Sequence, residues 1–164
     1  MSFFMLNIVL TFAWAAVSSS FTALNLAVGF VVGLLVIWLL SAALGAEAYL
    51  KVFRKRLAYI IFFLRELLKS SFRVAREVLS PNYNIHPGVI GVVLDEDTDD
   101  LQATLLANTI TLTPGTLSLD IIEDEESKRR TLYIHAISID DVEALRREIK
   151  EEFEKRAKEV MGDE

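Results

Sequence analysis

"ANTITLTPGTLSLDI", residues 107–121, decides how the C-terminal half of the chain folds. Its left part can be read in two ways. Leu101, Leu105 and Leu106 just upstream suit a helix, whereas Thr109-Ile110-Thr111-Leu112-Thr113 alternates like a strand. Pro114-Gly115 ends the element in either case. The reading adopted is a helix over 101–112 closed by the proline. Thr113, Pro114, Gly115 and Thr116 then form a structural turn, in which Pro114-Gly115 sets a sharp reversal and the threonines tie down backbone groups. The stretch has no His, Cys or Lys, and one acid, Asp120, near its far end. It reads as a shaping element.

Working outward, Thr116–Ile122 is then a strand, 123–130 a charged hairpin loop and Thr131–Ile137 a second strand. Upstream, Val89–Leu94 is a compact β-branched run and reads as a buried strand. Downstream, Ser138 and Asp141 resemble a capping box with Asp in place of Glu. They open a helix with Val142, Leu145, Ile149, Phe153 and Val160 along one face, and pairs such as Glu151/Lys155 along the other. The expected order is β-α-β-β-α, a three-stranded sheet with helices on one side. Ser80-Pro81-Asn82-Tyr83-Asn84 and His86-Pro87-Gly88 punctuate the chain ahead of it as a linker. Asp95, Asp97 and Asp99 imitate the start of an EF-hand loop. Its sixth position is Asp100 instead of Gly and its twelfth is Leu106 instead of Glu, so a solvated turn and helix start is the expectation.

The rest of the chain is of another kind. Of 164 residues 52% are apolar, and the mean hydropathy is +0.37 in the positive, membrane-like direction. Residues 1–46 contain no Asp, Glu, Lys or Arg. Residues 47–80 carry eight bases against three acids, and 81–164 nine bases against twenty acids. Net charges of +5 and −11 beside a neutral block imply three environments, and hence three domains: 1–46, 47–80 and 81–164. There is no cysteine, which excludes disulfides and thiol chemistry.

A charge-free run of 46 residues is too long for one membrane span and suits two of about 20. The polar knot Ser18-Ser19-Ser20, with Thr22 and Asn25, divides it into helices over 3–19 and 22–44. Ala13-Trp14-Ala15 formally fits a signal-peptidase site. A basic leader is missing, though, and a second apolar run follows, so with Met1 at the head no removed leader is expected. Asn25, Gly29 and Gly33 fall at i, i+4 and i+8 and form a helix-packing face for the first helix or for another subunit. Neither helix holds the Asp, Glu, Lys or His that a proton or cation path uses.

Between Arg56 and Arg65 lie only eight uncharged residues, about 12 Å of helix and too short to cross a core of about 30 Å. Continued to Leu79, the segment is amphipathic. Arg65, Lys69, Arg73 and Arg76 make one stripe; Leu57, Ile61, Leu64, Leu68, Phe72, Ala75 and Leu79 make another. Such a helix lies in the membrane surface, so the lipid bilayer is an expected partner and nucleic acid is not. The basic run Lys51–Arg56 keeps the end of the second helix in the cytoplasm. With two spans, the N-terminus and the acidic C-terminal domain are cytoplasmic too. A spanning third helix would export residues 80–164, against this charge argument.

No catalytic, cofactor or metal constellation is present: His86 sits in a Pro-Gly turn, and His135 lies on a strand without a second ligand or an acid-base partner. The fold class is therefore membrane α plus α+β, with two transmembrane helices, one interfacial helix and a small β-α-β-β-α domain.

Four blocks, taken in order, carry a family resemblance. They are Asn25-Leu26-x-x-Gly29-Phe30-x-x-Gly33, Pro87-Gly88-Val89, Ala107-Asn108-Thr109-Ile110-Thr111-Leu112-Thr113-Pro114-Gly115-Thr116, and Leu132-Tyr133-Ile134-His135-Ala136 with Asp140-Asp141. The whole chain resembles the E subunit of Mrp-type multisubunit monovalent cation/proton antiporters, also called MnhE or PhaE. The resemblance implies an accessory, non-catalytic membrane subunit of a sodium/proton antiporter, whose partner subunits carry the ion path. The same module is built into archaeal membrane-bound hydrogenases and sulfur reductases. Separately, the Glu/Lys/Arg-dense final helix points faintly to a thermophile. The alternative from another class is a membrane-tethered module that recruits a soluble partner through its acidic domain.

Overall fold

The computed structural model describes residues 3–41, 45–80 and 85–162. The chain divides into two compact units, 1–55 and 56–164, so the division falls inside the basic block read as 47–80.

The first unit is a helical hairpin. α1 runs Phe3–Val17 and α2 Ala23–Leu39. Both are shorter than the expected 3–19 and 22–44, and for α1 the serine knot is the reason. The Ser18 hydroxyl donates to the Trp14 carbonyl at 2.8 Å, and Ser19 turns left-handed at φ 50°, so α1 cannot continue. Thr22 then caps α2, accepting the Asn25 N–H at 3.3 Å. Residues 42–44 of the expected second helix lie outside the described residues. Helices of 15 and 17 residues reach about 22 and 26 Å at about 1.5 Å per residue. Among the described residues, no helix is long and apolar enough to cross a membrane. The two expected transmembrane helices are thus present as helices, each short of a full span.

A 33-residue helix, α3, follows over Glu47–Leu79. The second unit then runs β1 (Gly88–Val93), α4 (Asp100–Leu112), β2 (Thr116–Glu123), β3 (Arg130–Ala136), α5 (Val142–Glu148), a π-helical stretch Ile149–Glu154, and α6 (Lys155–Met161). The doubtful Leu101–Leu112 is a helix. The expected linker residues 81–84 lie outside the described residues. The sheet is antiparallel with order β1-β3-β2, the middle strand coming from the hairpin. Pairing alternates the faces. Ile90, Val92, Leu132 and Ile134 turn inward against Ala103, Leu106, Ile110, Ile149, Phe153 and Ala157, with the helices on one side. The opposite face keeps Val89, Val93, Leu117, Ile122 and Tyr133 exposed.

Two local expectations are corrected. Asp141 is itself the cap of α5, accepting from Glu143 and Ala144, while Ser138 accepts from the His86 N–H; no Ser138/Asp141 capping box forms. The capping box lies at Asp99/Gln102, at the head of α4. The last helix is also interrupted. An i→i+5 turn adds a residue per turn and rolls the following side chains around the axis, so Phe153 and Glu154, adjacent in sequence, are both buried. The i, i+4 pair that forms beyond the interruption is Glu152–Arg156 at 3.2 Å, where Glu151/Lys155 was expected.

Glu154 is 1% exposed. Its carboxylate accepts the Asp95 N–H and the Thr98 hydroxyl, both at 2.7 Å, with the Lys150 ammonium at 2.8 Å. Lys150 also reaches Asp95 at 2.5 Å, and Lys158 joins Asp95 to Asp97. Of the acids that imitate a calcium loop, Asp95 and Asp97 are thus neutralised by Lys150 and Lys158 while Asp99 caps α4, and among the described residues no cluster of His, Cys, Asp or Glu could hold a metal ion. Hydrogen bonding from Lys150 holds the Asp95 carboxyl below its ordinary range. Lys150 is raised, because its bonds to Asp95 and Glu154 outweigh the burial that opposes its charge. A carboxyl depressed on folding stabilises above its unfolded pKa; a lysine raised on folding stabilises below its own. The clasp therefore stabilises the fold across the neutral range and loosens as pH falls into the carboxylate range. Glu154→Ala is expected to cost about 2–4 kcal/mol, since it strands buried donors and a lysine. Denaturant unfolding of the full chain in detergent, followed by near-UV circular dichroism, measures this. A shift under about 0.5 kcal/mol, the ordinary range for a surface substitution, would remove the clasp from the account.

Candidate functional site

The distinctive geometry of the described residues lies in packing surfaces. In the hairpin, Asn7, Thr11 and Ala15 of α1 are buried opposite Gly29, Gly33 and Ile37 of α2, each row spaced i, i+4, i+8. Glycine is needed because the partner helix is too close for a side chain. A Cβ on Gly29 would stand 3.0 Å from the Thr11 carbonyl oxygen and 3.0 Å from Trp14 Cδ1. A Cβ on Gly33 would run into the Asn7 amide oxygen. Asn25 has another task. It receives the Trp14 indole N–H at 3.1 Å and donates to Ser18 Oγ at 2.7 Å and to the Ser20 carbonyl at 2.5 Å. Thus Asn25 locks the turn, while Gly29 and Gly33 set the helix approach. The row Asn7-Thr11-Ala15 went unread in the sequence, although its small-residue spacing matches that of α2.

The signature turn forms around the end of α4. Gly115 takes φ 93°, a conformation that disfavours residues with a side chain, and its missing Cβ would touch Val74 of α3 at 3.0 Å. Helix ends leave carbonyls without partners, and here hydroxyls supply them. Thr113 Oγ1 donates to the Thr109 carbonyl at 2.8 Å, and Thr116 Oγ1 to those of Ile110 at 2.7 Å and Thr113 at 2.9 Å. Ser118 Oγ donates to the Ala107 carbonyl at 2.9 Å. A cleft of about 40 Å³ brings Thr113 and Thr116 alongside Glu66, Ser70 and Arg73, so the turn is seated on α3.

From residue 56 onward, α3 shows three faces. Phe62, Glu66 and Ser70 are buried and Tyr59 half-buried on the domain side. Phe62 meets Phe153 edge-on with ring centres 5.3 Å apart, Arg156 stacks on Phe62 at 4.5 Å, and the Tyr59 hydroxyl bonds Thr109 Oγ1 at 2.6 Å. Burial pushes the Tyr59 phenol up despite that bond. Leu57, Ile61, Leu64, Leu68, Phe72 and Leu79 remain exposed on a second face. Arg65, Lys69, Arg73 and Arg76 form the third, and of these Lys69 pairs with Glu66 at 2.6 Å. The apolar stripe read from periodicity is the one that the domain leaves open; the row Tyr59, Phe62, Glu66 and Ser70, which the sequence reading did not single out, does the packing.

The family described as Na+/H+ ion antiporter subunit, MNHE, matches residues 7–160. The chain belongs to that family. The E subunit of the Na(+)/H(+) antiporter of Alkalihalophilus pseudofirmus is 35% identical over 95% of this chain and 96% of its own length. Its counterpart of the same name in Bacillus subtilis is 36% identical over 95% and 96%. A chain of the membrane-bound sulfane sulfur reductase, an archaeal respiratory membrane complex, shares the fold at a TM-score of 0.55. It is 27% identical, with 97% of this chain and 98% of that one covered. Family membership thus rests on nearly the full length, hairpin included.

The crossing of the hairpin helices generates a coupled prediction. Gly33→Ala should destabilise the full chain in detergent by about 1–3 kcal/mol through overpacking against Asn7. Adding Asn7→Ala should recover most of that loss, because it removes the amide the new methyl strikes. Additive losses in the double-mutant cycle would show that these two positions do not meet.

Proposed function

We propose that this chain is a non-conducting structural subunit of a multisubunit Na+/H+ antiporter assembly in a cell membrane, whether a free-standing antiporter or the antiporter module of a larger respiratory complex. The observation that carries the reading is the hairpin itself. α1 and α2 hold no ionisable side chain, and their buried rows are given over to helix contact. Proton and cation paths through antiporters and pumps are characteristically marked by carboxylates, lysines or histidines within the spans. The relatives' names supply the host, an Na(+)/H(+) antiporter in which each is the E subunit.

On this reading the hairpin seats in the bilayer against partner subunits, which make up what its short helices lack in length. The exposed stripe of α3, flanked by Arg65, Lys69, Arg73 and Arg76, lies in the headgroup region. The basic run Lys51–Arg56 keeps that side cytoplasmic, and with it the N-terminus and the acidic domain. Gly29 and Gly33 act as packing residues, and Thr113-Pro114-Gly115-Thr116 holds the domain on α3. A second reading, in which the acidic domain recruits a soluble partner, draws on the exposed sheet face of Val89, Val93, Leu117 and Ile122. It predicts that Val89→Asp/Val93→Asp abolishes capture of that partner while membrane assembly persists.

Affinity purification of the tagged chain from native membranes in mild detergent tests the leading reading. Several hydrophobic subunits should co-purify at fixed ratio, and Gly29→Leu should deplete them at least fivefold. A monodisperse, stable monomer as the sole product would contradict it.

A further inference from the structure

A cavity of about 360 Å³ opens beside the last two turns of α3. Its wall carries Arg73, Arg76, Glu77 and Ser80, joined by Ser138 and Asp140 from the segment after β3. Two features of this wall call for a ligand. Among the described residues, neither Arg73 nor Arg76 has an ion-pair or hydrogen-bond partner. Glu77 Oε2 is buried with no hydrogen-bond partner at all, and a buried carboxylate oxygen left alone is costly. Both signs of charge therefore stand unanswered within one small space. Ile85, 39% exposed, is the apolar residue of the wall, and on the neighbouring face of α3 Phe72 and Leu79 are 75% and 82% exposed.

We propose that this cavity holds the headgroup of a phospholipid bearing both a phosphodiester and a primary ammonium, that is, a phosphatidylethanolamine-type lipid. The inference rests on the interfacial reading of α3, which sets the cavity mouth at headgroup depth. Two guanidiniums suit a phosphodiester, whose oxygens accept paired N–H donors. The Glu77 carboxylate, with Asp140 nearby, suits the ammonium, which brings three donors to oxygens that lack them. Ser80 and Ser138 add hydroxyls to the wall. Acyl chains would leave past Phe72 and Leu79, along the exposed stripe. A quaternary choline has no N–H to give Glu77, and a glycerol headgroup has no positive charge.

The site is tested on the delipidated full chain in neutral detergent, by native mass spectrometry with dipalmitoyl phosphatidylethanolamine, phosphatidylglycerol or phosphatidylcholine added at equal concentration. Phosphatidylethanolamine should be retained at least about fivefold more than the other two. Glu77→Gln should reduce it to the level of phosphatidylglycerol, and Arg73→Gln/Arg76→Gln should lower both, with unfolding midpoints unchanged. Equal retention of the three lipids by the wild-type chain would overturn the proposal, as would a preference that survives Glu77→Gln. Complete displacement by millimolar inorganic phosphate would also overturn it, by showing a free-anion site. Partition into phosphatidylcholine/phosphatidylglycerol vesicles separates the headgroup site from the interfacial helix beneath it. Vesicle binding without headgroup preference sinks this site and leaves the interfacial helix standing; no vesicle binding at all sinks both.

Discussion

A single 33-residue helix, α3, has to answer several chemistries at once, and the second unit is organised by how it does so. One row, from Tyr59 through Phe62 and Glu66 to Ser70, packs on the α+β domain. With that row committed, the leucines, isoleucines and phenylalanine of the outward face have no protein to bury against. Exposed apolar area of that extent, rimmed by arginine and lysine, is costly in water and natural in a headgroup layer. The signature turn serves the same constraint. Gly115 lets the backbone come down on Val74, the Thr113 hydroxyl closes the Thr109 carbonyl at the abrupt end of α4, and the Thr116 hydroxyl adds a second donor to the Ile110 carbonyl.

The hairpin obeys a different logic. Apolar helices gain nothing from one another's greasiness in lipid, so close approach and a few hydrogen bonds must hold them. Gly29 and Gly33 give the approach; Asn25 with Trp14, Ser18 and Ser20 gives the bonds. An element built this way contributes shape to an assembly, and its relatives are named as subunits of antiporters. The lysine clasp around Glu154 does comparable work at the far end of the chain, holding the acidic loop after β1 against the last helix.

How much of this was legible depended on whether a local pattern had one meaning. Pro114-Gly115 did, and so did the three strands, because turn residues and β-branched runs bound them closely. The helix over 101–112 was ambiguous, since its threonines alternate as in a strand; their hydroxyls bond carbonyls one turn back, which periodicity does not reveal. Asn25, Gly29 and Gly33 stood out on α2, but their counterparts Asn7, Thr11 and Ala15 are not glycines and passed unnoticed. The π-helical turn at Ile149–Glu154 leaves no trace in a 3.6-residue pattern, so burial of Glu154 could not be foreseen. On α3 the pattern revealed an apolar face truthfully. What it could not say was that the domain would choose the neighbouring row.

That choice is the central claim, and spin labels read it directly. Single cysteines placed at successive positions from 57 to 79 of the full chain, labelled and reconstituted in liposomes, report collision with oxygen, which concentrates in lipid, and with a polar nickel chelate, which stays in water. The account predicts oxygen maxima at Ile61, Leu64, Leu68 and Phe72, nickel maxima at Arg65 and Arg73, and low access to both at Phe62, Glu66 and Ser70. Nickel access along the leucine row equal to that at Arg65 would contradict it.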